Sequence, residues 1–144
     1  MNSKKIIIEK YNYKYFDDVC SLLQEISFYI PDKNKCDDNL KSFTNNENSY
    51  SIVAKYNEQL IGFGSIFIYR RVRGGIAAVL EDIVVDKEFR SKKVGSLIVN
   101  KLIDHAIKNK CFKISLATSK KNISFYEKLK FKRNGISMDI IINN

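Results

Sequence analysis

The chain has 144 residues, of which 44% are hydrophobic and 28% are charged. This length favours a single domain, and no apolar run approaches the ~20 residues that an α-helix needs to span a bilayer. At the N-terminus, lysines precede only three consecutive isoleucines, which is too short a run for the core of a signal peptide. We therefore expect a cytoplasmic protein with no membrane segment.

The formal net charge of +9 fits either general solubility or an anionic partner: nucleic acid, a membrane surface or a phosphorylated small molecule. The lysines are scattered and are not clustered with aromatic residues, which disfavours a nucleic-acid interface. Cys20, Cys36, Cys111 and the single histidine, His105, lack the spacing of a metal site or a disulfide framework. We expect free thiols in a reducing compartment and no metal; a cysteine nucleophile with His105 as its base is the alternative.

Hydrophobic periodicity predicts alternating strands and helices in the first half of the chain. A first strand at residues 5–10 precedes an amphipathic helix at 15–26, and Pro31 prevents that helix from continuing. A shorter helix is predicted at 36–45. Two strands at 50–56 and 60–69, joined by a turn at 57–59, form a hairpin. Gly62 and Gly64 inside the second of these strands indicate a bulge or a close backbone approach.

The second half begins with a polar loop at residues 70–75 and a long apolar strand at 76–85, which Glu81 and Asp82 interrupt. A regular apolar stripe predicts a helix at 94–108. A strand at 113–117, a helix at 122–129 and a weakly alternating strand at 137–142 follow. This order predicts one domain over residues 1–144, of the α/β (α+β) class, with a mixed, mostly antiparallel central sheet flanked by helices.

The basic turn RSKKVGS at residues 90–96 joins a predicted strand to a predicted helix. The first backbone N–H groups of a helix have no partner within it, and with the helix dipole they form a binding site for anions. Gly95 would let a phosphate approach the backbone, and Arg90, Lys92 and Lys93 add positive charge. A basic turn is equally compatible with an ordinary solvated surface.

Three segments carry a family resemblance: LEDIVVDKEFR at 80–90, KKVGSLIVNKLI at 92–103 and NISFYEKLKF at 122–131. Together they resemble the GNAT superfamily of N-acetyltransferases. The superfamily's phosphate turn corresponds to Arg90, Lys93 and Gly95. Its later pattern corresponds to Asn122, Phe125, Tyr126, Lys128 and Phe131.

Within the superfamily, EDIVV, CFKI, LLQEIS and NISFYEKLKF followed by Gly135 are similar to the glucosamine 6-phosphate N-acetyltransferases. That resemblance implies transfer of acetyl from acetyl-CoA to the amine of glucosamine 6-phosphate, on the route to UDP-N-acetylglucosamine. It also implies a homodimer whose sugar site lies at the subunit interface.

The resemblance further implies roles for individual residues. The cofactor would contact the strand backbone, the turn and a later asparagine: Ile83, Val84, Val85, Arg90, Ser91, Lys92, Lys93, Val94, Gly95, Ser96 and Asn122. The sugar would contact Ser27, Arg71, Glu81, Asp82, Phe112 and Lys113. Tyr126, which also borders the cofactor, would protonate or stabilise the departing thiolate, and Asp82 or Glu81 would take the amine proton, directly or through water. Without the resemblance, each of these side chains also fits an ordinary structural role.

Several positions depart from the family pattern. Ser91 and Lys93 replace usual glycines of the phosphate turn, and Lys130 replaces the glycine before Phe131. Ala117 stands where the family has an acidic residue, and Ile141 where it has an arginine for the sugar phosphate. These departures leave two alternatives: a GNAT enzyme for another amine, or an inactive basic binding module. Cations at 70, 71 and 73 favour an anionic acceptor over a polyamine.

Overall fold

The computed structural model describes residues 5–142, which form a five-stranded sheet with helices on both faces. The first half of the chain contains β1 (Ile6–Lys10), α1 (Phe16–Leu23), α2 (Lys33–Thr44), β2 (Ser49–Tyr56) and β3 (Gln59–Arg70). The second half contains β4 (Ile76–Val85), α3 (Val94–Lys108), β5 (Lys113–Ser115) and α4 (Ile123–Lys128). Across these residues, no helix combines the length and apolar character needed to cross a membrane.

The strands lie in the order β1-β2-β3-β4-β5. The first three pairs are antiparallel and the β4–β5 pair is parallel. The β4–β5 pair is parallel because α3 connects the two strands by crossing one face of the sheet. The predicted fold class, a mixed and mostly antiparallel sheet flanked by helices, is therefore confirmed.

The sheet is covered on both faces by apolar helices. On one face, Ile98 and Leu102 of α3 are fully buried against the strands. On the other, Val19 and Leu22 of α1 belong to a second apolar cluster that also contains Val84 near the end of β4. Burial of large aliphatic side chains on each face provides most of the stability and holds β4 between two layers.

The predicted close approach at the two glycines of β3 is confirmed. A Cβ at Gly62 would lie 2.7 Å from Ile98 Cδ1, and one at Gly64 would lie 2.7 Å from Ile98 Cγ2. Helix α3 therefore rests directly on the β3 backbone. This contact sets the distance of α3 from the sheet, and α3 begins at the basic turn.

Several sequence predictions need correction. The helix predicted at 15–26 spans only Phe16–Leu23, and the strand predicted at 113–117 ends at Ser115. Helix α2 begins at Lys33 and not at residue 36, because the Asp32 carboxylate accepts a hydrogen bond from the Asn34 backbone N–H and caps the helix. The strand predicted at 137–142 is absent. That segment is exposed and pairs with no other strand of the described chain, and an alternating pattern forms a strand only where a partner edge is available.

Candidate active site

Strand β4 contains a bulge at the position of the two acidic residues. Ser65 of β3 faces Glu81 and Phe63 faces Val84, so Asp82 and Ile83 of β4 lie opposite Gly64 alone. Asp82 accommodates the extra residue with a left-handed backbone, φ 56°, a conformation that aspartate tolerates better than most residues. The interruption predicted within this strand is therefore a bulge.

Strand β4 separates from β5 after Val79, just before the bulge. Their parallel pairing covers only Ala77–Val79 against Lys113–Ser115. Within residues 5–142, the second half of β4, from Leu80 to Val85, has no strand partner on the β5 side. Unpaired strand N–H and C=O groups can hydrogen-bond an extended ligand in place of a strand. Ile83, Val84 and Val85, predicted to hold the cofactor, all lie on this segment.

The carboxyl groups beside the bulge have raised pKa values. Desolvation by neighbouring protein atoms raises the pKa of Asp82, although the residue as a whole stays exposed. Desolvation also raises the pKa of Glu81, and the negative charges of Asp82 and Asp139 raise it further. The sequence analysis missed Asp139. It lies in the predicted but absent last strand, and only its position in the folded chain reveals its effect on Glu81.

The basic turn leads directly into α3. A 3-10 turn at Lys87–Lys92 ends in Lys93, which has a left-handed backbone (φ 63°) and forms the N-cap of α3 without a side-chain cap. The first N–H groups of α3, at Val94, Gly95 and Ser96, are therefore available to an anion. Lys93 therefore adopts a left-handed backbone conformation that usually favours glycine.

We expect Lys93→Gly to raise the free energy of unfolding by about 0.5–1 kcal/mol. Glycine adopts a positive φ without the steric cost that a Cβ brings, and this gain exceeds its greater entropy loss on folding. Urea denaturation measures the change. Lys92→Gly is the control, since it removes the same charge from the same turn at a position without a positive φ, and it should lower stability. Equal losses in both variants would contradict the left-handed backbone at Lys93.

Two cations of this turn, Arg90 and Lys92, already interact with other residues of the chain. Arg90 Nε donates to the Val85 carbonyl at 3.2 Å, and its Nη2 donates to the Glu25 carboxylate. The Lys92 ammonium lies 5.2 Å from the centre of the Phe89 ring. The exposed Lys93 and Ser91 complete the turn. Direct contact between any of these side chains and a phosphate remains a prediction.

Gly95 has a packing role that the sequence analysis did not predict, while its predicted contact with a phosphate stays a prediction. A Cβ on Gly95 would lie 3.1 Å from Phe125 Cζ and 3.7 Å from Val85 Cγ2. The space that a side chain would fill is therefore taken by α4, and the glycine allows α4 to pack against the first turn of α3. This packing places α4 at the border of the gap between β4 and β5.

Tyr126 is half-buried on α4. Its ring packs edge to face with Phe125 and Phe131, at centroid distances of 4.8 and 5.8 Å. Burial raises the pKa of its hydroxyl above the ordinary value, so the group is protonated at neutral pH. Asn122 directly precedes α4, and its side-chain amide donates to Ser119 Oγ at 3.4 Å. The Tyr126 hydroxyl is therefore protonated and held by an aromatic cluster, and its action on the thiolate stays a prediction.

The predicted sugar-binding residues fall into two groups. Ser27 follows α1, two residues after Glu25, which Arg90 connects to the end of β4, and Glu81 and Asp82 lie at the bulge. Arg71 lies in the β3–β4 turn, and Phe112 packs on that turn, its ring 2.7 Å from a Cβ built on Gly75. Lys113 pairs with Ala77. At ~3.3 Å per strand residue, the five steps from Ile76 to Glu81 separate the two groups by about 17 Å. One chain does not bring them together.

The alternative cysteine chemistry has no support in the structure. His105 stacks on Tyr50 with 4.1 Å between ring centroids, and its Nε2 faces the Asn109 amide at 3.3 Å. Burial raises the pKa of the Cys111 thiol, which disfavours the reactive thiolate. In the part of the chain described, no group of three or more His, Cys, Asp and Glu side chains has the geometry of a metal site.

A bulged strand that separates from its parallel neighbour thus lies beside a helix N-terminus without a side-chain cap. The model of the Acetyltransferase (GNAT) family matches residues 16–131, and the chain belongs to this family. The family predicted from the sequence is thus confirmed.

Several curated relatives of the chain carry the same name. The chain is 37% identical over 86 residues to glucosamine 6-phosphate N-acetyltransferase 1 of Dictyostelium discoideum, covering 58% of this chain and 55% of that protein. It is 38% identical over 77 residues to the Arabidopsis thaliana enzyme of that name, covering 52% of each. The chain thus spans about half the length of these curated relatives. The crystal structure of the Arabidopsis thaliana enzyme superposes with a TM-score of 0.87 at 24% identity, over 97% of this chain and 100% of that one, which shows a common fold.

Proposed function

We propose that this protein transfers the acetyl group of acetyl-CoA to the amine of glucosamine 6-phosphate, giving N-acetylglucosamine 6-phosphate for UDP-N-acetylglucosamine synthesis in the cytoplasm. The observation that carries the proposal is the open edge of β4 beside the uncapped start of α3. Acetyl-CoA has an extended arm that can pair with the open edge of a strand, and a pyrophosphate that can bind the N–H groups at a helix start. It therefore needs both features close together. The names of the relatives support the choice of acceptor.

Bound acetyl-CoA would supply an electrophilic thioester carbon next to β4. Main-chain groups of residues 83–85 hydrogen-bond the extended arm, and one N–H there donates to the carbonyl oxygen as negative charge develops on it. The N–H groups at the start of α3 bind the pyrophosphate, with Asn122 close to the same region. Within residues 5–142, this part of β4 has no strand partner on the β5 side, although the Val85 carbonyl already accepts a hydrogen bond from Arg90.

The side chains at the bulge and on α4 would move the protons. An amine attacks a carbonyl only when it is neutral, so a carboxylate at Asp82 or Glu81 accepts its proton, directly or through water. Tyr126, which its raised pKa keeps protonated, donates to the sulfur as the thioester breaks. The two groups therefore act on opposite ends of the reaction, one as a base and one as an acid.

We expect thiol release from acetyl-CoA in the presence of glucosamine 6-phosphate and little release with glucosamine. The phosphate should matter because three exposed cations at the β3–β4 turn attract it: Arg70, Arg71 and Arg73. Glucosamine has no phosphate and gains nothing from these cations. A thiol-detection assay over a panel of amines measures this. Turnover only with a peptide, polyamine or antibiotic would replace the acceptor. No turnover together with salt-sensitive binding to nucleic acid would favour a binding module.

We also propose that two copies form a homodimer with a shared sugar site. Arg71 and Phe112 lie about 17 Å from the bulge along the strand, so a second copy is needed to bring these two residues to the acceptor. Large apolar side chains are exposed on the C-terminal segment: Ile136, Met138, Ile140, Ile141 and Ile142. Several exposed apolar side chains within one short segment are typical of protein interfaces.

Sedimentation velocity should therefore report a dimer at micromolar concentration. Replacing Met138 and Ile140 together by glutamate should shift the protein toward monomer, because charge is poorly tolerated in an apolar interface. Glutamate at exposed Asn46 and Asn109 serves as a control for the added charge. A wild-type monomer with full activity would contradict the shared site.

A further inference from the structure

Arg90 connects two distant parts of the chain at the edge of the candidate site. Its Nε donates to the carbonyl of Val85, the last residue of β4. Its Nη2 donates to the carboxylate of Glu25, which lies 65 residues away in the turn that ends α1. The Glu25 side chain is 27% exposed and that of Arg90 57%. The basic turn is thereby tied to the opposite face of the sheet.

The connection between α1 and α2 has its own internal structure. The Gln24 side-chain amide donates to the Tyr29 carbonyl at 2.7 Å, and the Tyr29 N–H donates to Gln24 Oε1 at 3.0 Å. These two bonds close residues 24–29 into a loop that carries Ser27. Within the described residues, the Glu25–Arg90 bond is the one side-chain hydrogen bond from residues 24–31 to a distant element.

We propose that Glu25 is a positioning residue for the acceptor side of the site. Through Arg90 it holds the closed 24–29 loop, with Ser27, beside the end of β4. The kinetic part of this inference rests on the proposed function. A charge-assisted pair between a carboxylate and a guanidinium fixes direction as well as distance, because the guanidinium fork donates in a plane. Neither an amide at residue 25 nor an ammonium at residue 90 reproduces this geometry.

Loss of the pair should separate the two substrates kinetically. Glu25→Gln leaves the first N–H groups of α3 and the open edge of β4 unchanged, so acetyl-CoA affinity should stay within about twofold. The acceptor KM should rise about fivefold, a partial loss that matches a charged hydrogen bond weakened by solvent exposure. Arg90→Lys should show a similar rise, and the double variant should add little to either single change.

Hydrogen exchange tests the positioning without reference to any acceptor. In Glu25→Gln, amides of the peptide covering residues 24–31 should exchange at least threefold faster than in the unmodified protein, while α3 peptides stay unchanged. Glu47→Gln, an equal charge change at an exposed turn position, should alter neither exchange nor kinetics. Calorimetric titration with acetyl-CoA and acceptor KM measurements complete the experiment.

The outcomes separate this inference from the proposed function. Faster loop exchange with a raised acceptor KM and unaltered acetyl-CoA affinity supports the positioning role. Unchanged exchange in Glu25→Gln overturns it, and so does an equal loss of affinity for both substrates. If the unmodified protein does not acetylate glucosamine 6-phosphate, the proposed function fails; loop exchange and acetyl-CoA titration then decide the positioning role alone.

Discussion

Replacing Tyr126 by phenylalanine is expected to lower kcat about 100-fold while acetyl-CoA affinity changes little. The substitution keeps the ring that packs against Phe125 and Phe131 and removes only the hydroxyl. Burial raises the pKa of that hydroxyl, so at neutral pH it carries the proton that a departing thiolate needs. A positioned general acid typically contributes 10²–10⁴-fold, which sets the expected size.

Thiol release measures kcat, and calorimetric titration measures acetyl-CoA binding. Tyr50→Phe is a matched control, because Tyr50 is also half-buried against the core but lies on β2 beside His105. That variant should keep wild-type turnover. An unchanged kcat in Tyr126→Phe would remove this hydroxyl from the reaction, and a loss confined to acetyl-CoA affinity would reassign it to binding.

Either Asp82 or Glu81 is expected to be the general base, and replacing that residue should lower kcat/KM about 100-fold. The pH profile should then identify which of the two residues is the base. A general base must be deprotonated, so activity falls as pH falls through its pKa. Desolvation raises the pKa of both Glu81 and Asp82. Activity should therefore be lost at a higher pH than it would be with a carboxyl of ordinary pKa. Asp82→Asn and Glu81→Gln give the direct comparison.

Asp139→Asn distinguishes the two candidates without altering either one. The negative charge of Asp139 helps to raise the pKa of Glu81, whereas the pKa of Asp82 is raised by desolvation alone. Removing that charge should therefore lower the pKa of Glu81 and move the acid limb of kcat/KM to lower pH if Glu81 is the base. An unmoved limb assigns the role to Asp82. Asp104→Asn, an equal charge change on α3, controls for net charge, and a limb that moves equally in both variants would contradict the local effect.

Periodic apolar patterns made β4 and α3 predictable. The bounds of β4 at Ile76–Val85 and of α3 at Val94–Lys108 coincide with the prediction, because both elements bury a continuous apolar face. The start of α2 was missed because a cap, Asp32, sets it in a polar segment. The strand predicted at 137–142 was wrong because strand formation needs a partner edge, which a local pattern does not reveal.

The candidate site was predictable as a set of residue types and less so as an arrangement. Motif spacing placed Tyr126 after Asn122 and the basic turn before α3. It did not reveal that Gly95 makes room for Phe125, nor that Arg90 binds Glu25, because both contacts join residues far apart in sequence. Asp139 had no signal at all, since its influence on Glu81 depends only on the path of the folded chain.

By itself, the sequence determined the order of strands and helices up to α4, the family and the residue types available for acyl transfer, because periodicity and local motifs encode these. Only the tertiary structure decided that Asp82 adopts a left-handed bulge, that β4 leaves β5 after Val79, and that Arg71 lies far from Glu81. The physical reason is that register, strand separation and charge proximity arise from contacts between distant residues. Such contacts exist only after the apolar faces of the helices and the sheet have packed together.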